Sequence, residues 1–145
     1  MKNALLWIWQ LPQNLIGFVY SRFAKTKSRI VFEVDNKLHK AEVYFCPCFR
    51  CGVSLGDYIV LDPIYMKMDW SETVQHEFGH SVQSKRLGWF YLFLVGLPSV
   101  INNIWDRLFH KKWSNEKRNV WYYSRYPEKQ ADLLGGLNRF GEVNV

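Results

Sequence analysis

Two histidines four residues apart, His76 and His80, enclose a glutamate at position 77 in the run HEFGH. On an α-helix such positions lie one turn apart on one face, so both imidazoles can reach a single ion. Glu77 sits beside them, where a carboxylate can accept a proton from a metal-bound water. The chemistry implied is metal-assisted hydrolysis, on condition that the segment is helical and a further ligand comes from elsewhere. A catalytic zinc generally takes three protein ligands and keeps one position open.

The remaining histidines, His39 and His110, stand in no metal-binding pattern. A better source is Pro127-Glu128-Lys129-Gln130-Ala131-Asp132. On a helix, Glu128, Ala131, Asp132 and Gly135 share one face. Small Ala131 and Gly135 would let that helix approach the His76 helix closely. Glu128 is then the expected third ligand, and Asp132 the expected acceptor of a hydrogen bond from a ligand imidazole, which fixes the ring. Taken alone, both acids read more readily as ordinary charges in a first helical turn; paired with HExxH, the ligand reading leads. Tyr122, Tyr123, Arg125, Tyr126 and His110 are candidates for stabilising an oxyanion; the sequence does not choose among them.

HEFGH followed by EKQAD resembles the gluzincin metallopeptidases, whose pattern is HExxH with a later glutamate and an aspartate four residues on. The longer runs HEFGHSVQSKRLGWFYLFLVGLPSVI and YYSRYPEKQADLLGG, with WQLPQNLIG near the start, are similar to a group of small, uncharacterised bacterial metallopeptidase-like proteins. The resemblance implies zinc at His76, His80 and Glu128, with Glu77 as general base and Asp132 behind the ligands. It also implies a minimal zincin-like domain. The separation is a departure: 47 residues lie between His80 and Glu128, more than in many gluzincins.

The elements that would position these residues are legible in outline. Ile30 to Val34 and Ala41 to Phe45 are β-rich runs around the turn signal Asp35-Asn36-Lys37. Val53 to Leu55 and Tyr58 to Leu61 flank Gly56-Asp57. A helix is expected from about Ser71 to Leu87, opened by a capping-box-like Asp69 and Glu72 and closed by Gly88. Its Val74, Phe78 and Val82 should pack inward. A last helix starts at Pro127 and ends near Gly135-Gly136. The expected fold is one α+β domain over 1–145, with a small, mainly antiparallel sheet, the HExxH helix and a C-terminal ligand-bearing helix. The last strand, near Gly56 to Leu61, is a candidate to bind extended substrate by strand addition.

Two apolar stretches complicate the picture. Ala4 to Tyr20 is interrupted by Gln10, Pro12, Gln13 and Asn14, and Leu87 to Ile101 by Gly96 and Pro98. Both are too short or too broken for ordinary spans. The first reads as a docked helix or an interfacial membrane segment. The second reads as a buried helix or a membrane-dipping hairpin, the buried form being the leading expectation. Arg22, Lys25, Lys27 and Arg29 follow the first; Arg107, Lys111, Lys112, Lys117 and Arg118 follow the second, diluted by Asp106 and Glu116. These clusters account for much of the net charge of +6. They are either a solvated surface or an attraction to an anionic membrane. No nucleic-acid motif accompanies them, so nucleic acid is not an expected partner.

With 48% hydrophobic residues and 17% aromatic ones, the chain is not of the disordered class. Cys46, Cys48 and Cys51 are odd in number and tightly bunched, which does not read as a disulfide framework and favours a reducing compartment, although a pair can bridge in an oxidising one. Three thiolates with His39 could form a structural zinc site, but the spacing is not a common finger pattern. The leading functional expectation is zinc-dependent hydrolysis of a peptide or protein substrate, in the cytoplasm or peripherally at the cytoplasmic membrane. The competing readings are a membrane-associated binding or scaffold protein with a non-catalytic zinc site, and a membrane-embedded protease.

Overall fold

Asp35 and Asn36 both adopt positive φ, at 51° and 58°. This is the geometry of a two-residue hairpin turn whose twist matches its strands. In the computed structural model, which describes residues 4–47, 50–67 and 69–140, that turn joins β1 (Thr26–Val34) to β2 (Lys37–Phe45). The two pair antiparallel from Thr26 opposite Phe45 to Val34 opposite Lys37. The chain then lays β3 (Val53–Leu55) on the outer edge and returns through Gly56, at φ 66°, into β4 (Tyr58–Leu61). The sheet order is β1-β2-β4-β3. Because β3 takes the outside position, β4 comes back parallel to β2, with Val43 opposite Ile59. The sheet is therefore mixed, where the sequence suggested a mainly antiparallel one. β4 is buried at all four positions, as expected for an interior strand with an unbroken apolar run.

The inner face of the sheet carries Phe32, Val34, Val43, Phe45, Ile59 and Leu61 into one core. Helix α3 (Ser71–Leu87) lies against it. Val74 enters the core fully and Phe78 packs on its margin; Val82 is only half-buried. The expected capping box does not form. Asp69 instead accepts the Ser71 amide at 3.0 Å, and Glu72 faces Arg139 at 3.5 Å. Gly88 ends α3 with φ 54°, and a side chain there would collide with the Trp9 ring.

Helices α1 (Ala4–Trp9) and α2 (Leu11–Arg22) are separated at Gln10. After α3 the chain runs through a 3-10 turn at Gly88–Phe90 and a π-helical stretch at Leu92–Gly96 directly into α4 (Leu97–Phe109). Gly96 and Pro98 do not break it, because proline is accommodated in the first turn. The burial expected for Leu87 to Ile101 is overturned. Tyr91 and Val95 are buried, but Phe90, Phe93, Leu97 and Val100 are exposed. Among the described residues no helix is long and apolar enough to cross a membrane. Ser114 caps α5 (Asn115–Tyr123) by accepting the Lys117 amide, and α6 (Glu128–Leu134) closes the fold. The fold is α+β, with a small mixed four-stranded sheet and six α-helices among the described residues.

Candidate metal centre

Helices α3 and α6 meet almost backbone to backbone. A methyl group at Gly79 would strike the Ala131 carbonyl, and one at Gly135 the Gln75 carbonyl. Ala131 and Gly135 thus provide the close approach their size suggested. Gly79, inside the HEFGH run, supplies the other half. This contact brings Glu128 and Asp132 onto His76 and His80, all four of them buried.

Glu128 Oε2 stands 3.1 Å from His76 Nε2 and 3.1 Å from His80 Nε2. The ligand-capable atoms of these three residues all lie within 4.8 Å of one another, so the group can hold a metal ion. What lies behind the imidazoles decides which atoms face inward. His76 Nδ1 is 2.7 Å from Asp132 Oδ1, and Asp132 Oδ2 accepts from Arg139 Nε at 2.8 Å. An ionised carboxylate has no proton to give, so His76 donates through Nδ1. His80 Nδ1 is 2.7 Å from Gln83 Oε1. The Gln83 amide nitrogen donates to Pro127 O at 3.2 Å and to Gln130 Oε1 at 2.8 Å, which fixes the amide so that its oxygen faces His80. His80 therefore also donates through Nδ1. In neutral imidazoles both Nε2 atoms are then lone-pair acceptors pointed at a carboxylate oxygen. Three converging acceptors repel unless a proton or a metal cation stands among them.

The charges follow this geometry. Burial opposes a charge on His76, yet the hydrogen bonds to Asp132 and Glu128 outweigh it and raise its pKa to about 9. Burial likewise opposes ionisation of Glu128, but the two histidines hold it well below the usual carboxylate range. Two imidazole nitrogens and one carboxylate oxygen form a donor set suited to zinc among other divalent metals, each donor braced from behind.

Glu77 is buried, but its side chain makes no hydrogen bond among the described residues. Burial pushes its pKa up. Gly52 makes room for it: a Cβ there would sit 2.6 Å from Glu77 Oε1. Glu77 lines a cleft of about 360 Å³ together with His76, His80, Glu128, Tyr122 and Tyr123.

Of the five oxyanion candidates, only Tyr122 and Tyr123 line this cleft. Tyr122 donates to Glu128 Oε1 at 3.1 Å, orienting the carboxylate. The Tyr123 ring stands edge-on to His76, under the Arg139 guanidinium, and burial pushes its phenol up to about 12. The others are placed elsewhere. Tyr126 donates to Leu94 O, Arg125 stacks over Trp121, and His110 lies between Trp113 and Asp106. His39 packs against Phe32 and Phe78. Cys46 is disulfide-bonded, Cys51 is a free thiol, and Cys48 lies outside the described residues. No thiolate zinc site with His39 forms among the described residues.

Strand β4 is hydrogen-bonded on both sides, which removes it as a site of strand addition. The edges belong to β1 and β3, and on β3 the Ser54 carbonyl already accepts from the Tyr91 hydroxyl at 3.2 Å. Sequence reasoning missed Gln83 and Arg139. Gln83 follows His80 by three residues, a spacing that can place it beside the ring. Arg139 has no sequence signal. No protein-family model, curated protein or solved structure matches this chain.

Proposed function

We propose that this chain is a zinc-dependent metallopeptidase of minimal zincin-like, gluzincin type, hydrolysing peptide bonds in a peptide or protein substrate. The observation that carries the reading is the convergence of His76 Nε2, His80 Nε2 and Glu128 Oε2 beside a buried Glu77 whose side chain lines the cleft and has no hydrogen-bond partner among the described residues. Zinc, when bound, supplies a Lewis acid for the scissile carbonyl and lowers the pKa of water. The remaining work falls to the protein. His76 and His80 turn their Nε2 atoms toward the metal position because Asp132 and Gln83 accept from their Nδ1 atoms. Tyr122 fixes the rotation of Glu128. Glu77, raised by burial and facing the cleft, accepts the proton of the attacking water and passes it to the leaving amine. Tyr123, protonated at neutral pH, can donate to the developing oxyanion.

A non-catalytic zinc scaffold has no need of a carboxylate beside the ligands that faces the cleft rather than a hydrogen-bond partner among the described residues. The test is a peptide-library digest by purified protein, with and without a chelator. Cleavage that stops on chelation and returns with zinc supports the reading. Cleavage indifferent to metal would refute it.

A further inference from the structure

The N-terminal helices are turned inside out. Gln10, Gln13, Asn14 and Gly17 face the protein, whereas Leu15, Ile16, Phe18 and Val19 face outward. The inward side is a hydrogen-bonded polar seam. Gln13 donates to Ser84 Oγ and Gly88 O, each at 2.9 Å; Ser84 donates to Gln10 at 2.8 Å; and Asn14 accepts the Asp57 amide at 2.8 Å. A helix docked for the sake of a soluble core would show the opposite polarity.

The same inversion recurs in α4. Leu97, Val100, Ile101, Ile104, Trp105 and Leu108 follow helical spacing along one stripe, every one of them about half exposed or more, and α4 buries no residue. Between the two regions, Trp89 Nε1 donates to Ile8 O and Trp9 Nε1 to Lys85 O, which ties the start of the second apolar segment to α1. Phe90 and Phe93, 64% and 70% exposed, extend the apolar surface from there toward α4. A connected apolar surface of this extent is not left to water in a soluble monomer.

We infer that this chain docks on an anionic lipid bilayer through α1, α2 and residues 88–109, lying in the interface without spanning it. Charge selects the occupant. Exposed Arg22 and Lys25 close the first apolar segment, and exposed Arg107, Lys111 and Lys112 close the second. Lys27 and Arg29 contribute less, because the hairpin brings Glu42 to within 2.8 Å and 3.2 Å of them. Basic groups flanking Trp-bearing apolar helices match anionic headgroups over acyl chains. A symmetric second copy would set like charges in the same contact. Val100 and Ile104 belong both to the apolar stripe and to the wall of the metal-site cleft, so docking brings the cleft to the lipid surface.

The test uses the full chain with phosphatidylcholine vesicles, with and without phosphatidylglycerol. Binding should require the anionic lipid and weaken with salt. Amide exchange should slow in 4–20 and 89–109 and stay unchanged in the distal part of the β1–β2 hairpin. Ile101→Asp with Leu108→Asp, both at exposed positions outside the cleft, should lower the bound fraction roughly tenfold or more, since charge is costly in the interface. Circular dichroism and zinc content should match those of the parent. Absence of binding by the folded chain, or unchanged binding by the double variant, would overturn the proposal. So would a concentration-dependent dimer that protects the same segments without lipid. None of these readouts requires peptide hydrolysis, so the docking and the catalytic reading fail separately.

Discussion

The side-chain oxygen of Gln83 lies 2.7 Å from Nδ1 of His80, one helical turn along α3. Two acceptors at the start of α6 and just before it hold the amide in that orientation, Gln130 Oε1 and Pro127 O. Gln83 thereby dictates the tautomer of His80 and turns its Nε2 lone pair toward Glu128. Gln83→Leu keeps approximate volume and removes that control. Zinc affinity in a chelator-competition titration should fall roughly ten- to a hundredfold, the scale for loss of an outer hydrogen bond to a ligand. Gln83→Glu retains an acceptor for Nδ1 and should lose less. Equal affinity in all three proteins would contradict the role assigned to Gln83.

Glu128 is the third ligand in this account, on the strength of its equal approach to both histidines. Metal content of His76→Ala, His80→Ala and Glu128→Ala should fall far below that of the parent. Full zinc affinity in Glu128→Ala, with loss on removal of a different acid, would show the assignment to be wrong.

The ligand helices were legible in sequence because each carries a periodic signal. His76 and His80 are one turn apart, and Glu128, Ala131, Asp132 and Gly135 share a face. The hairpin was legible because Asp35-Asn36 demands a particular backbone. The parallel pairing of β2 with β4 was not, since it depends on β3 taking the outer edge, a choice made by packing. Nor was the placement of Glu42, opposite Arg29 and within reach of Lys27, which engages two members of an apparently free basic cluster with one carboxylate. The inverted burial of α2 escaped for a similar reason. Its polar pair Gln13-Asn14 ahead of an apolar run fits either orientation until Ser84 and Asp57 appear as partners for Gln13 and Asn14.

Gly79 is required by the meeting of α3 and α6. Alanine is the better helix former by up to about 1 kcal/mol, so propensity alone favours Gly79→Ala. The Ala131 carbonyl in its path is backbone and cannot rotate away. Overpacking of this kind costs about 1–3 kcal/mol, and steric strain should win. Denaturant unfolding should show a net loss of stability, with weaker zinc binding as α6 and Glu128 shift. A stabilised variant with parental zinc affinity would contradict the close contact.

The hydrogen bond from Lys27 lowers the Glu42 pKa to about 2, against an opposing push from burial and with help from Arg29. A depressed folded value contributes stability that is present above the ordinary carboxylate value near 4.5 and is lost as pH falls through about 2. Glu42→Gln should therefore flatten the acid side of the stability profile in that window and leave it unchanged near neutrality in slope. Because the pair is on the surface, the effect should be small and should shrink with salt. An unaltered acid limb at low salt would argue against the pairing.

The central claim rests on Glu77, placed in the cleft without a hydrogen-bond partner among the described residues. Glu77→Gln preserves size and removes basicity. The decisive measurement is the cleavage rate of one library-selected peptide by parent and variant, with zinc content determined on the same samples. The account predicts equal zinc and equal fold, with the rate lowered about a hundredfold or more, the scale of a lost general base. Equal cleavage by the two proteins at equal zinc content would contradict it.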